Sequence, residues 1–153
     1  MKIEQRIEEM GLTLPEVPAP LAAYVPGQKT GRFIFTAGQL PIQYGELKYR
    51  GKLGQDYSVE EGYEAAKICL LNCLGVIKKI AGDLDRVKQV VKINGFVNSD
   101  PNFTDQPKVL NGASELCVEL FGKKGEHARA AVGSVSLPMG AAVEVEMIVE
   151  LEE

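Results

Sequence analysis

The chain predicts an α+β sandwich, with two helices packed on one face of a sheet, and three observations carry that prediction. Val59, Tyr63, Ala66, Leu70, Cys73, Ile77 and Ile80 recur by four and three, which puts them on one face of a long helix. From Val143 to Leu151 every second residue (Val143, Val145, Met147, Val149, Leu151) is apolar, the period of a strand with one covered face. The order of elements is strands, helix, strand, helix, then two strands, with no internal repeat. At 153 residues the chain suits one domain over 1–153, long enough to bury about two thirds of the surface it exposes when unfolded.

Ile3, Ile7 and Met10 sit at helical spacing before Gly11, so residues 1–11 open the chain with a short amphipathic helix. Residues 12–26 hold Pro15, Pro18, Pro20 and Pro26, which exclude regular helix and give an extended tether, with Leu21 to Val25 suited to an edge strand. Arg32-Phe33-Ile34-Phe35-Thr36 is a strand with apolar side chains on both faces, so cover is expected on both sides. Gln43-Tyr44-Gly45-Glu46 forms a turn between Leu40 and Leu47. Ser58-Val59-Glu60-Glu61 has the form of a capping box and starts the long helix, which Gly82 closes. Val87 to Val97 is β-branched strand with Gly95 as a bulge position. Thr104 or Asp105 caps a second helix with Pro107 in its first turn; Val109, Ala113, Leu116 and Leu120 are its buried stripe and Gly122 its stop. Ala128 to Val135 is a strand, and Leu137 to Gly140 turns the chain into the last one.

Composition narrows the function. With 17 basic and 21 acidic residues the formal charge is −4, and no block of Lys or Arg forms a stripe that tracks a phosphate backbone, so nucleic acid is a poor partner. The opening Met1-Lys2-Ile3-Glu4-Gln5-Arg6 carries charges where a signal peptide carries its apolar core, and no run approaches membrane-helix length; a cytoplasmic protein with no membrane partner is expected. Cys69, Cys73 and Cys117 form no CxxC pair, and His127 is the single histidine, so buried free thiols and no metal are expected.

The chemistry centres on Arg129, the only charged residue between Ala128 and Val143. A guanidinium offers a rigid, permanently charged fork matched to a carboxylate, so among small neighbours it reads either as an oxyanion clamp or as half of a structural pair with Glu144 or Glu146. Tyr24 has an equally plain alternative, pinning the tether by its ring and hydroxyl. His127 reads as structural or exposed and stays outside the catalytic set.

Ala22-Ala23-Tyr24-Val25, Thr36-Ala37-Gly38-Gln39-Leu40-Pro41, Asn94-Gly95-Phe96-Val97, Ala128-Arg129 with Leu137-Pro138, and Val143-Glu144-Val145-Glu146, taken at these intervals, resemble the RidA (YjgF) superfamily. Some of its small trimeric members hydrolyse enamines and imines released by pyridoxal-phosphate enzymes. The resemblance implies a chorismate-mutase-like fold, a mixed sheet, a homotrimeric barrel and clefts between subunits. It implies that Arg129 pairs with a substrate carboxylate, Glu144 positions the hydrolytic water, Tyr24 closes the cleft, Gly38 meets substrate through its backbone and Asn111 lines the pocket. Ala37 replaces the serine or threonine of the deaminases, and Ala131 the cysteine of many. The opening helix, the tether and Phe103–Lys108 suggest a subgroup.

An imine of a 2-oxo acid presents one carboxylate and one electrophilic carbon, so its hydrolysis needs a fixed cation and a held water with a base beside it. Arg129 and Glu144 suit those roles without cofactor. The expected reaction converts a 2-imino or enamine acid to a 2-oxo acid and ammonia; the alternatives are a carboxylate-binding protein on the same scaffold and, disfavoured by the charge, a ribonuclease. The apolar Ile148 and the second face of the Phe33 strand further predict that subunits pack these sheet faces together.

Overall fold

A computed structural model describes residues 2–17 and 23–153 of the chain. Helix α1 (Lys2–Glu9) is followed by the short strands β1 (Gly27–Thr30), β2 (Phe33–Thr36), β3 (Ile42–Gln43) and β4 (Glu46–Leu47). Helix α2 (Val59–Ala81), strand β5 (Val87–Asn98), helix α3 (Gln106–Phe121) and strands β6 (Ala128–Ser134) and β7 (Val143–Leu151) complete it. Five strands form a mixed sheet in the order β1-β2-β7-β5-β6, antiparallel except where β5 runs parallel to β6. That parallel pair is joined through α3, a crossover that returns the chain along the helix-covered face.

The predicted helices form for the expected reasons. Ser58 accepts from the Glu61 amide while the Glu61 side chain accepts from the Ser58 amide, so both ends of the capping box are made, and Gly82 ends α2 at a φ of 88°. In α3, Val109, Ala113, Leu116 and Leu120 are buried with Cys117, and Gly122 ends the helix at a φ of 64°. Asp105 stands at the cap position, but its side chain makes no cap bond; Pro107 at the start of the helix supplies the preset backbone instead. Both helices cover one face of the sheet, where they meet Ile34, Ile93, Val97 and the alternating apolar set of β7. Gly112 lets α3 lie against α2, because a methyl group there would meet the Tyr63 carbonyl oxygen at 2.0 Å. Among the described residues no helix is long and apolar enough to cross a membrane.

Two expectations are corrected. Leu21 and Ala22 lie outside the described residues, while Ala23 to Val25 bend without forming a strand; the edge strand is β1, which starts at Gly27. Gly95 is not a bulge: it pairs regularly with Val145 and Ala131, and the register shifts fall between Val87 and Gln89 and between Val90 and Lys92. The glycine serves packing instead, since a methyl group there would lie 2.1 Å from Leu110 of α3. Strand β2 is covered on one face only within the chain, with Ile34 buried and Phe33 and Phe35 exposed by 38% and 43%. Those rings share the open face of the sheet with Glu144, Glu146, Ile148 and Glu150 of β7, as the register with β2 and β5 requires.

Candidate functional site

The register decides where each candidate residue sits. Arg129 lies beside Ile93, a core residue under the helices, so its side chain leaves the edge strand β6 on the helix-covered side. Glu144 lies beside Phe96, between Val143 and Val145, both of which are buried under the helices, so its side chain stands on the open side. Strand β5 separates the two. The folded chain therefore keeps Arg129 and Glu144 apart, and among the described residues Arg129 has no carboxylate partner. Within one chain, therefore, Arg129 is not half of a structural pair with Glu144 or Glu146.

What Arg129 does meet comes from α3. Asn111 and Ser114 are one helical turn apart and face β6 together; Arg129 Nη1 donates to Asn111 Oδ1 at 2.9 Å and to Ser114 Oγ at 3.2 Å. Asn111 is thus brought to the arginine and holds its Nη1. Ser114 Oγ also lies 2.9 Å from His127 Nε2, and His127 Nδ1 lies 2.5 Å from the Gly125 carbonyl oxygen. Neither Ser114 nor His127 stood among the sequence candidates. Their link depends on the crossover that brings α3 back along β6, which no local pattern reports, and the signal that was available was the histidine two residues before the lone arginine.

On the open side, the Glu144 carboxyl lies over Gly38. A methyl group on Gly38 would sit 2.2 Å from Glu144 Oε2, so glycine is required there to admit the carboxyl. Gln39 and Val145 exchange both backbone hydrogen bonds and fix this loop against β7. Burial pushes the Glu144 carboxyl above the usual glutamate range, and the neighbouring Glu146 charge adds to the rise. Glu146 is itself held by Asn94, whose Nδ2 donates to Oε1 at 3.1 Å. A carboxyl of raised pKa is the better base and is suited to draw a proton from a held water. Tyr24 is 64% exposed, two residues before Pro26, whose carbonyl oxygen accepts from the Ala37 amide at 2.7 Å. That bond joins the segment just after Tyr24 to the residue just before Gly38.

The described cavities, of about 620 and 340 Å³, flank α1 and contain none of the five candidate residues. Cys69, Cys73 and Cys117 are free and buried, and no cluster of metal-ligating side chains occurs among the described residues. Cys69 and Cys73 instead donate through Sγ to the Val143 and Val145 carbonyls, which seats α2 over the end of β7 that carries Glu144.

Comparison with known proteins places this geometry in a family. Residues 4–151 match the family described as "YjgF/chorismate mutase-like, putative endoribonuclease". The chain is 44% identical over 151 residues to Protein TCP17 of Trypanosoma cruzi, covering 98% of this chain and 94% of that one. It is 43% identical to Atu1372 of Agrobacterium tumefaciens, a crystal structure of unknown function, with a TM-score of 0.93 over 99% of this chain and 94% of that one. A Shewanella oneidensis structure described as a "putative endoribonuclease" is 38% identical with a TM-score of 0.94, covering 99% of this chain and all of the other. With the mixed sheet and the one-sided helix pair already in place, these matches settle the lineage: the chain belongs to the RidA/YjgF superfamily, with its chorismate-mutase-like α+β fold.

Proposed function

We propose that the protein hydrolyses 2-imino acids, and their enamine tautomers, to 2-oxo acids and ammonium in clefts formed between copies of the chain. The observation that carries this reading is the state of Arg129. Its Nη1 is occupied by Asn111 and Ser114, and its Nε and Nη2 have no protein acceptor among the described residues. A half-buried guanidinium edge left open in this way suits a substrate carboxylate.

The base stands on the other face of the sheet, so a complete site needs Arg129 from one copy and Glu144 from another. The exposed Phe33 and Phe35, beside Ile148, support an assembly that covers the open face, and the family resemblance makes a homotrimer the expected form. In such a cleft Arg129 fixes the carboxylate and Glu144 takes a proton from water as its oxygen bonds to the imine carbon. Glu144 returns that proton to nitrogen, the carbon–nitrogen bond breaks as the hydroxyl oxygen becomes the carbonyl, and the hydroxyl proton leaves with the ammonia as ammonium, so one iminium and one water give one oxo acid and one ammonium. Because the reaction proceeds unaided in water, orientation and one base suffice in principle.

Three of the four open-face residues in the run from Glu144 to Glu150 are glutamates, which repel a phosphate backbone and disfavour ribonuclease action at this face. Ala37 and Ala131 bring no polar side chain to the site, which favours a second reading, carboxylate binding without turnover. An amino-acid oxidase generating 2-imino acids in the presence of semicarbazide separates the two. Loss of trapped product with wild type but not with Arg129→Ala supports hydrolysis; undiminished trapping with wild type for every imine overturns it in favour of binding alone.

A further inference from the structure

We infer that Ser114 and His127 form, with Asn111, a positioning array that locks the Arg129 guanidinium so that a carboxylate docks side-on, against Nε and Nη2. The inference rests on the reading of Arg129 as the carboxylate clamp. Its starting point is a count of hydrogens. Nη1 carries two, and it donates to Asn111 Oδ1 at 2.9 Å and to Ser114 Oγ at 3.2 Å, two acceptors for two hydrogens. The end-on fork, which needs one hydrogen from each terminal nitrogen, is therefore closed. The side-on fork, Nε–H with one Nη2–H, stays open and is planar with the rest.

The remaining bonds set the direction of the chain. The Gly125 carbonyl can only accept, so at 2.5 Å it places a proton on His127 Nδ1. In the neutral ring Nε2 is then an acceptor, and at 2.9 Å it takes the Ser114 hydroxyl hydrogen. That turns the Ser114 lone pairs toward Arg129 and away from competing roles. Gly125 is buried and held in the short turn between α3 and β6, so the array is anchored at its far end to rigid backbone. His127 acts on Arg129 only through Ser114, and both are positioning residues that do not touch the reacting atoms.

Two measurements test this. In the free protein, nitrogen-15 NMR of arginine side chains, with the Arg129 signals identified by their loss in Arg129→Ala, reads rotation of the guanidinium. Separate, slowly exchanging Nη1 and Nη2 signals are expected in wild type, collapsing to an average in Ser114→Ala and in His127→Ala. His127→Gln should restore them, because the glutamine carbonyl can take the Ser114 hydroxyl. Averaged signals in wild type, or separate ones in Ser114→Ala, overturn the inference whatever the protein's activity. Calorimetry with 2-oxobutanoate reads the consequence: affinity should fall about ten-fold in Ser114→Ala, the worth of one charged hydrogen bond. In an Arg129→Ala background the same change should have no further effect. An equal loss in both backgrounds marks Ser114 as merely structural and overturns the array. Binding undisturbed by Arg129→Ala refutes the carboxylate clamp itself, and the NMR result still decides the positioning.

Discussion

Gly38→Ala places a methyl group where the Glu144 carboxyl lies. The new carbon would stand 2.2 Å from Oε2, 2.9 Å from the carboxyl carbon and 3.2 Å from Cγ, against an ordinary contact of about 3.5 Å. All three atoms belong to one flexible side chain, and the Gly38 backbone is not in the left-handed region, so the fold has a cheap escape: Glu144 swings away. An off-rotamer glutamate costs about 1 kcal/mol, which for a chain of this size lowers the melting temperature by about 2–4 °C. The effect on turnover should be far larger, because a general base moved off its water loses about 100-fold in kcat. KM should hold, since the proposed carboxylate clamp, Arg129, stands on the other face of the sheet from Glu144. The assay is oxidase-coupled imine trapping alongside a thermal melt. Turnover within two-fold of wild type would refute the reasoning, because the position Glu144 takes over Gly38 would then not be the reactive one.

Other consequences are equally open to measurement. Glu146→Gln removes the second cause of the raised Glu144 pKa while keeping the Asn94 hydrogen bond, so the acid limb of the rate profile should move to lower pH; an unmoved limb would show that Glu144 is not the base. Because the fold favours protonated Glu144, its contribution to stability is fullest at acid pH and is lost as pH rises through its raised pKa. Denaturant melts of Glu144→Gln should lack that loss. Burial pushes the Cys73 and Cys117 thiols up to about 12, and Cys69 well above the ordinary range, so a thiol reagent at neutral pH should label none of the three until the protein unfolds. Phe35→Glu puts a charge on the open sheet face beside Ile148 and should leave a folded monomer in sedimentation; an unchanged oligomer would mean that another surface assembles the protein.

How much of this the sequence displays depends on how local each cause is. The capping box at Ser58, the closing glycines and the alternation of β7 act through neighbours within a few residues, and all appear where the pattern puts them. The Tyr44-Gly45 turn likewise follows from its residues, with φ values of 53° and 78° as a tight hairpin needs. The side of the sheet each charge occupies does not follow, because Arg129 and Glu144 are separated by a turn and a change of strand that reset the alternation. The pairing of Ser114 with His127 is equally invisible, since it exists only when β6 lies parallel to β5 and α3 runs back between them. Gly38 shows a third limit: the motif marks it as a substrate contact, while its first effect is to make room for Glu144.

A mixing experiment tests the shared site most directly. Arg129→Ala chains and Glu144→Gln chains, each expected to be inactive toward 2-imino acids alone, are unfolded together, refolded and assayed. If each cleft takes its arginine from one copy and its glutamate from another, random assembly restores about a quarter of the sites, and activity returns to about that share of wild type. Mixtures that stay as inactive as the separate variants, with assembly confirmed by sedimentation, would contradict a site built across two copies.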